Sequence, residues 1–309
     1  MDPASTAAVL LALVAVSSSA PLIAFAAAPA LAIAFWRNVL AVGVLGPFAL
    51  ARRRAEFRIL ASDAGRRERR YSILAGLALA VHFATWMPSA QLTSVATATA
   101  LVATQPVWQG LIALGQGRRL PPVAWCGIAV AVAGAVWATG ADFGTSGRAF
   151  AGDLLAIVGG VAAAVYTALG ERARVTISTT SYTTICYTVC ALTLLAVCLV
   201  AGVPLAGYDG STWLAILALV AGAQLLGHSM FNYALRRISA TTVSVLILLE
   251  APGAALIAWA WLDQVPRATA LPGLALLLIG VAIVVLGGAR SARRGEPVPA
   301  PPEAGPLPS

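Results

Sequence analysis

The stretch SVLILLEAPGAALIAW, residues 244–259, places one carboxylate, Glu250, in an otherwise apolar run and follows it with Pro252. A run of this kind is the material of a membrane-spanning helix. Holding a charge at that depth is costly, so Glu250 has either a structural partner or a chemical task. The rest of the chain has the same character: 60% of its 309 residues are hydrophobic and 10% are charged, with a mean hydropathy of +0.86. An ordinary soluble domain carries about 25% charged residues. No sizeable soluble domain fits, and function is expected in or across the bilayer.

Loops rich in Arg, Gly, Pro and Asp divide the chain into apolar segments of about 20 residues. Ten result, near 7–26, 30–51, 71–90, 93–115, 120–140, 150–171, 179–201, 211–235, 239–262 and 269–288. The expected fold is therefore an all-α polytopic membrane protein with ten transmembrane helices. The net charge of +8 comes from 20 basic residues, every one an arginine. Eight lie between 52 and 70, and the later loops on that side hold Arg118, Arg119, Arg172, Arg174, Arg236 and Arg237. The other side has Arg148 and Arg267. Cytoplasmic loops retain such residues, so both termini of a multi-pass cell-membrane protein are expected in the cytoplasm. The same bias explains the high pI without nucleic acid. The N-terminal apolar run has no basic residue before it and reads as a retained helix, not a cleaved signal. Residues 291–309, rich in proline, read as a disordered cytoplasmic tail. Cys126, Cys186, Cys190 and Cys198 lie in apolar segments without metal or redox spacing and read as packing residues.

Sliding the sequence on itself by 146 residues places Pro106 on Pro252, Gly127 on Gly273, Gly134 on Gly280 and Gly76 on Gly222. It also superposes His82 on His228, the two histidines of the chain. Each half then holds five spans, an odd number, so the second half enters the membrane inverted. Arginine-rich loops of one half correspond to arginine-free loops of the other. Inverted repeats of this kind build alternating-access transporters, with the substrate site near the midplane. The halves are read as 1–146 and 147–290.

On the run GHSMFNYALRRISATTVSVLILLEAPGAALIAWAWLDQVP (227–266), followed by LPGLALLLIGVAIVVLG, and its counterpart LTSVATATALVATQPVWQGLIAL (92–114), the chain resembles the EamA-type transporters of the drug/metabolite transporter superfamily. The resemblance covers about residues 7–288. It implies two five-helix repeats and export or exchange of amino acids, nucleosides or other small metabolites, driven by protons or counter-exchange. Membrane lipid and a small-molecule substrate are the implied partners, with a homodimer left open. An acidic residue that often closes the proline-containing helix in the family is matched by Asp263, but its counterpart in the first half is Gly117.

Several residues could carry the chemistry. Pro106 and Pro252 leave the carbonyls of Val102 and Leu248 without their helical donors, as helix breaks lining a cavity or as simple kinks. Glu250, halfway along its span, should face the bundle, where a carboxyl can take up a proton on one side and release it on the other. Its structural alternative is a hydrogen bond or a pair with Arg37. Gln224, His228 and Asn232 follow i, i+4, i+8 spacing and fall on one helix face. His82, with Trp86 nearby, repeats that surface in the first half. Two histidines on separate helices do not define a metal site, and no cofactor motif is present. Thr97, Thr104, Gln105, Trp108 and Tyr166 are further cavity-wall candidates. Arg37 reads as snorkelling to the outer interface, with a cation that pairs with Glu250 or attracts a substrate carboxylate as the alternative, and Asp153 as capping the first turn of the sixth span. Motifs of an intramembrane enzyme are missing. A passive channel or facilitator is the closer rival, differing in its response to a pH gradient.

Overall fold

A computed structural model describes residues 3–92, 98, 101–139, 147–262, 268 and 271–293, and the regular elements among them are all helical. The first half contains α1 (Pro3–Ser17), α2 (Ser19–Phe25), α3 (Ala30–Arg52), α4 (Arg54–Ala61), α5 (Arg66–Leu92), α6 (Gln105–Gly115) and α7 (Pro122–Thr139). The second contains α8 (Gly147–Ala173), α9 (Thr179–Val200), α10 (Gly210–Leu219), a π-helical segment Val220–His228, α11 (Ser229–Ala234), α12 (Ala240–Ile247), α13 (Glu250–Leu262) and α14 (Leu271–Arg293).

Among the described residues, seven segments are long and apolar enough to cross a bilayer, and the shorter apolar helices Pro122–Trp137 and Leu271–Val284 accompany them. The start of the expected fourth span, 93–97, lies outside the described residues. Ten crossings thus remain an expectation. Two boundaries differ from the sequence reading. The polar stretch 52–70 is not a plain loop but holds α4 and the start of α5, and α14 continues to Arg293, into the segment assigned to the tail. Residues 294–309 and Asp263 lie outside the described residues.

The bundle keeps an apolar core but also shows an apolar surface. Val14, Leu199 and Leu214 are each about 70% exposed, as suits side chains meeting lipid, whereas Arg37, Asn38, Gln109 and Asn232 are buried. Of the cysteines, Cys186, Cys190 and Cys198 are buried and unpaired, while Cys126 is exposed and does not pack inside.

Small residues set the closest approach. α7 and α14 cross where a Cβ on Gly134 would come within 2.6 Å of the Gly273 carbonyl oxygen, and one on Gly280 within 2.6 Å of the Gly127 carbonyl oxygen. Gly127 and Gly134 are the offset-146 counterparts of Gly273 and Gly280, so the contact exchanges its two halves as a two-fold axis would. The same exchange recurs elsewhere: α5 packs on α8 as the π-helical segment packs on α1, and α9 packs on α5 as α3 packs on the π-helical segment.

One end of the bundle gathers arginine-bearing connections. Arg118 donates to both carboxylate oxygens of Glu171, at 3.1 and 2.9 Å, and Glu171 Oε1 also accepts from Ala240 N at 3.0 Å. Glu56 on α4 accepts from Ser178 N, from Ser178 Oγ at 2.6 Å and from Ser181 Oγ at 2.8 Å. Burial pushes the Glu56 carboxyl up, but these hydrogen bonds to its charged form outweigh burial and leave it below its usual value. At the opposite end, Trp36 Nε1 donates to Leu205 O at 2.8 Å and Ala27 N to Thr212 Oγ1 at 3.2 Å. Segments 53–65 and 201–209 therefore sit at opposite ends of α3 and α9.

A leucine at Gly134 has no room at the α7–α14 crossing. Gly134→Leu is expected to destabilise the protein by about 1–3 kcal/mol, read as a lower melting temperature in detergent, whereas leucine at the open position Gly115 should leave the melt unchanged.

Candidate functional site

The spans that carry Pro106 and Pro252 are interrupted at matched places, whereas Pro47 and Pro88 lie inside the continuous helices α3 and α5. α6 starts at Gln105 after a turn at Ala103–Thr104, and α13 starts at Glu250 after a turn at Leu248–Leu249. Short i→i+3 contacts close the turns: Thr104 N donates to Leu101 O at 3.2 Å, and Leu249 N to Leu246 O at 3.0 Å. Each proline sits in the first turn of the helix that follows, where its missing N–H costs no hydrogen bond. The prolines thus begin new helices instead of bending continuous ones.

The turns border a central cavity of about 110 Å³, and Val102 and Leu248, each four residues before its proline, are both in its wall. By the measure that about 10–15 Å³ holds one water, this is room for several waters or a small solute. α3 contributes Arg37, α5 contributes His82, Phe83 and Trp86, and α8 contributes Tyr166 and Thr167. His228, Asn232, Ser244 and Glu250 come from the π-helical segment, α11, α12 and α13. Both halves therefore build the wall.

Hydrogen bonds fix much of this surface. His82 Nδ1 donates to Gly159 O at 2.9 Å, which leaves Nε2 as the open position of a neutral ring. The His82 ring stacks on Trp86 with centroids 5.8 Å apart and planes 3° from parallel. Asn232 Nδ2 donates to Tyr166 Oη at 2.6 Å, and Gln105 Nε2 to Thr167 Oγ1 at 3.2 Å. His228 meets the edges of Phe83 and Tyr166, at 5.9 and 6.3 Å between centroids.

The structure thus brings together Glu250, His82, His228, Asn232, Trp86, Gln105 and Tyr166. Other expected wall residues lie elsewhere. Gln224 is not in the cavity wall: it is buried, and its side-chain amide is taken up by α3. Its carbonyl oxygen accepts from Arg37 Nε at 2.8 Å and its amide donates to Asn38 Oδ1 at 3.1 Å. Trp108 and Thr104 bond each other at 3.0 Å outside the wall, and Thr97 lies outside the described residues. Asp153 does not cap a helix, since α8 starts at Gly147 and puts it beyond the first turn, with Oδ1 buried and unbonded.

Arg37 corrects the sequence reading most. It does not snorkel: it is 1% exposed, with its guanidinium 4.5 Å over the Phe83 ring and facing the cavity. FWRN alone does not separate an interfacial arginine from a buried one. The presence of Gln224 and Asn38 opposite it is visible only once the helices are packed.

Replacing Gln224 by leucine should strand the Arg37 Nε–H inside the bundle. Gln224→Leu is expected to cost about 1–3 kcal/mol, measured as a shift of the thermal melt, and Gln224→Glu should restore much of the loss.

The comparisons with other proteins agree with this architecture. No curated protein matches the chain. A crystal structure described only as that of a protein superposes with a TM-score of 0.77 at 21% identity, over 94% of this chain and 99% of its own. At that identity the likeness shows the fold alone. The family model described as the EamA-like transporter family matches twice, over residues 4–140 and 150–286. Two matches that together span nearly the whole chain place it: this protein belongs to the EamA-like transporter family, within the drug/metabolite transporter superfamily.

Proposed function

We propose that the protein is a secondary-active transporter of ten helices, with 147–290 inverted relative to 1–146, which carries a small metabolite through the central cavity by alternating access. Members of its family are transporters, not enzymes. The observation that carries the reading is the position of Glu250: it is the first residue of a helix that begins beside the cavity, in a wall drawn from both halves. A carboxyl there can exchange its proton with whichever side the cavity opens to. His82 and His228 lie in the same wall and supply further exchangeable positions.

Two features at the arginine-bearing end support a path to that side. A hollow of about 430 Å³ there is lined by Arg53, Arg174, Arg236 and Thr180 among others. Arg174 Nε donates to Asn232 O at 3.3 Å, so one residue stands between hollow and cavity. Rocking of the halves would break or remake such contacts and the Arg118–Glu171 pair. With the arginine-bearing loops and both termini in the cytoplasm, the reading is of an exporter or exchanger in the cell membrane.

Proteoliposomes loaded with amino acids, nucleosides or cationic drugs under an imposed pH gradient test it. Gradient-driven accumulation of one class is the expected result. In Glu250→Gln, accumulation should fall to simple equilibration while the melting temperature is kept. Wild-type accumulation in that variant removes Glu250 from coupling, and flux that ignores the gradient in the wild type makes the protein a facilitator.

A further inference from the structure

The hollow at the arginine-bearing end has a wall charged in one sense only. Arg53, Arg174 and Arg236 line it, and among the described residues no carboxylate does. The three come from separate parts of the chain: Arg53 caps the C-terminus of α3, Arg174 follows α8 and Arg236 follows α11. Glu56, the acid that reaches this end of α9, is already taken up by Ser178 and Ser181 and is not in the wall.

Arg174 shows the imbalance most clearly. It is 1% exposed, yet its guanidinium bonds only neutral groups: Nε donates to Asn232 O at 3.3 Å, Nη1 to Ile177 O and Nη2 to Thr179 Oγ1 at 2.6 Å. A guanidinium has five N–H groups, so two of them remain. Burial first, and the like charge of Arg236 second, pull its pKa down to about 10. Hydroxyls add further donors to the wall. Thr179 Oγ1 accepts from Arg174, and Tyr233 Oη accepts from Arg237 at 3.0 Å, which leaves both O–H groups to donate.

The rest of the wall is apolar. Leu45, Leu225 and Met230 belong to it, and the chain neighbours Val44 and Leu226 are exposed where the bundle meets lipid. Next to the hollow, α4 carries Arg54 and Arg58 together with the exposed Ile59, the composition of a helix lying at headgroup level. Arginines and hydroxyls beside apolar side chains, at the edge of the membrane, match a molecule with an anionic head of many acceptor oxygens and a hydrocarbon body.

We propose that this hollow seats the phosphate of an anionic phospholipid from the leaflet at the arginine-bearing end, with Arg53, Arg174 and Arg236 holding the headgroup and Leu45, Leu225 and Met230 the start of an acyl chain. The headgroup would border Asn232 beside the path proposed above without being the cargo, so the inference stands apart from the transport reading.

The test exposes the purified full chain in detergent to equal amounts of dioleoylphosphatidylglycerol and dioleoylphosphatidylcholine and counts retained lipid by native mass spectrometry. Phosphatidylglycerol should bind about tenfold or more tighter than phosphatidylcholine. The double variant Arg53→Gln, Arg236→Gln should erase that preference. The double variant Arg66→Gln, Arg70→Gln, which removes the same charge from the same end outside the hollow, should keep it. If the first variant does not fold, Thr180→Leu, which fills the hollow at unchanged charge, takes its place and should erase the preference in the same way. No preference in the wild type, a preference kept in the hollow variant, or equal loss in the Arg66, Arg70 control overturns the site. Glycerol 3-phosphate at the concentration of the lipid should not displace it; displacement makes the occupant a soluble phosphate and overturns the lipid.

Discussion

A bilayer offers no water to a backbone carbonyl that has lost its helical donor, and the spans carrying Pro106 and Pro252 meet that constraint at the turns 103–104 and 248–249. Irregular backbone at that depth persists only where protein or a polar hollow surrounds it. The rest of the site follows from that constraint. The turns at 103–104 and 248–249 must face inward, so the helices carrying them enclose a cavity and the side chains beside them, Gln105 and Glu250, enter or border it.

What keeps the enclosure open is close contact elsewhere. α7 and α14 meet through glycines with no space for a Cβ, which fastens the halves along one seam. Inside, polar groups satisfy one another in short chains: Arg37 to Gln224 to Asn38, Asn232 to Tyr166, Gln105 to Thr167. The chains stop at the cavity, where Arg37 Nη2 and Trp86 Nε1 have no partner.

Much of this was legible in the residues. Pro106 and Pro252, and His82 and His228, fall at one offset, and an ionisable group in an apolar span is held where it can face the bundle interior. Glu250, both histidines and Asn232 were found that way. Gln224 stands at helical spacing from His228 and Asn232, but Arg37 and Asn38 of α3 take up its amide, and nothing in VAGAQLLGH announces those partners. Thr104 and Trp108 satisfy each other locally, a pairing as compatible with the sequence as a role in the wall. Arg37 was read by its neighbour Trp36, which does reach the interface end and bonds Leu205, while Arg37 turns the other way.

The sequence by itself determined the membrane character, the repeat at offset 146, the side on which arginines collect and the helix breaks, because hydropathy, charge bias and proline chemistry act over a few neighbouring residues. Which polar side chains meet was decided by the tertiary structure alone. Arg37 and Gln224 are 187 residues apart in the chain and 2.8 Å apart in space, and a guanidinium becomes a buried cation facing a cavity, instead of a snorkelling one, only through the helices that close around it.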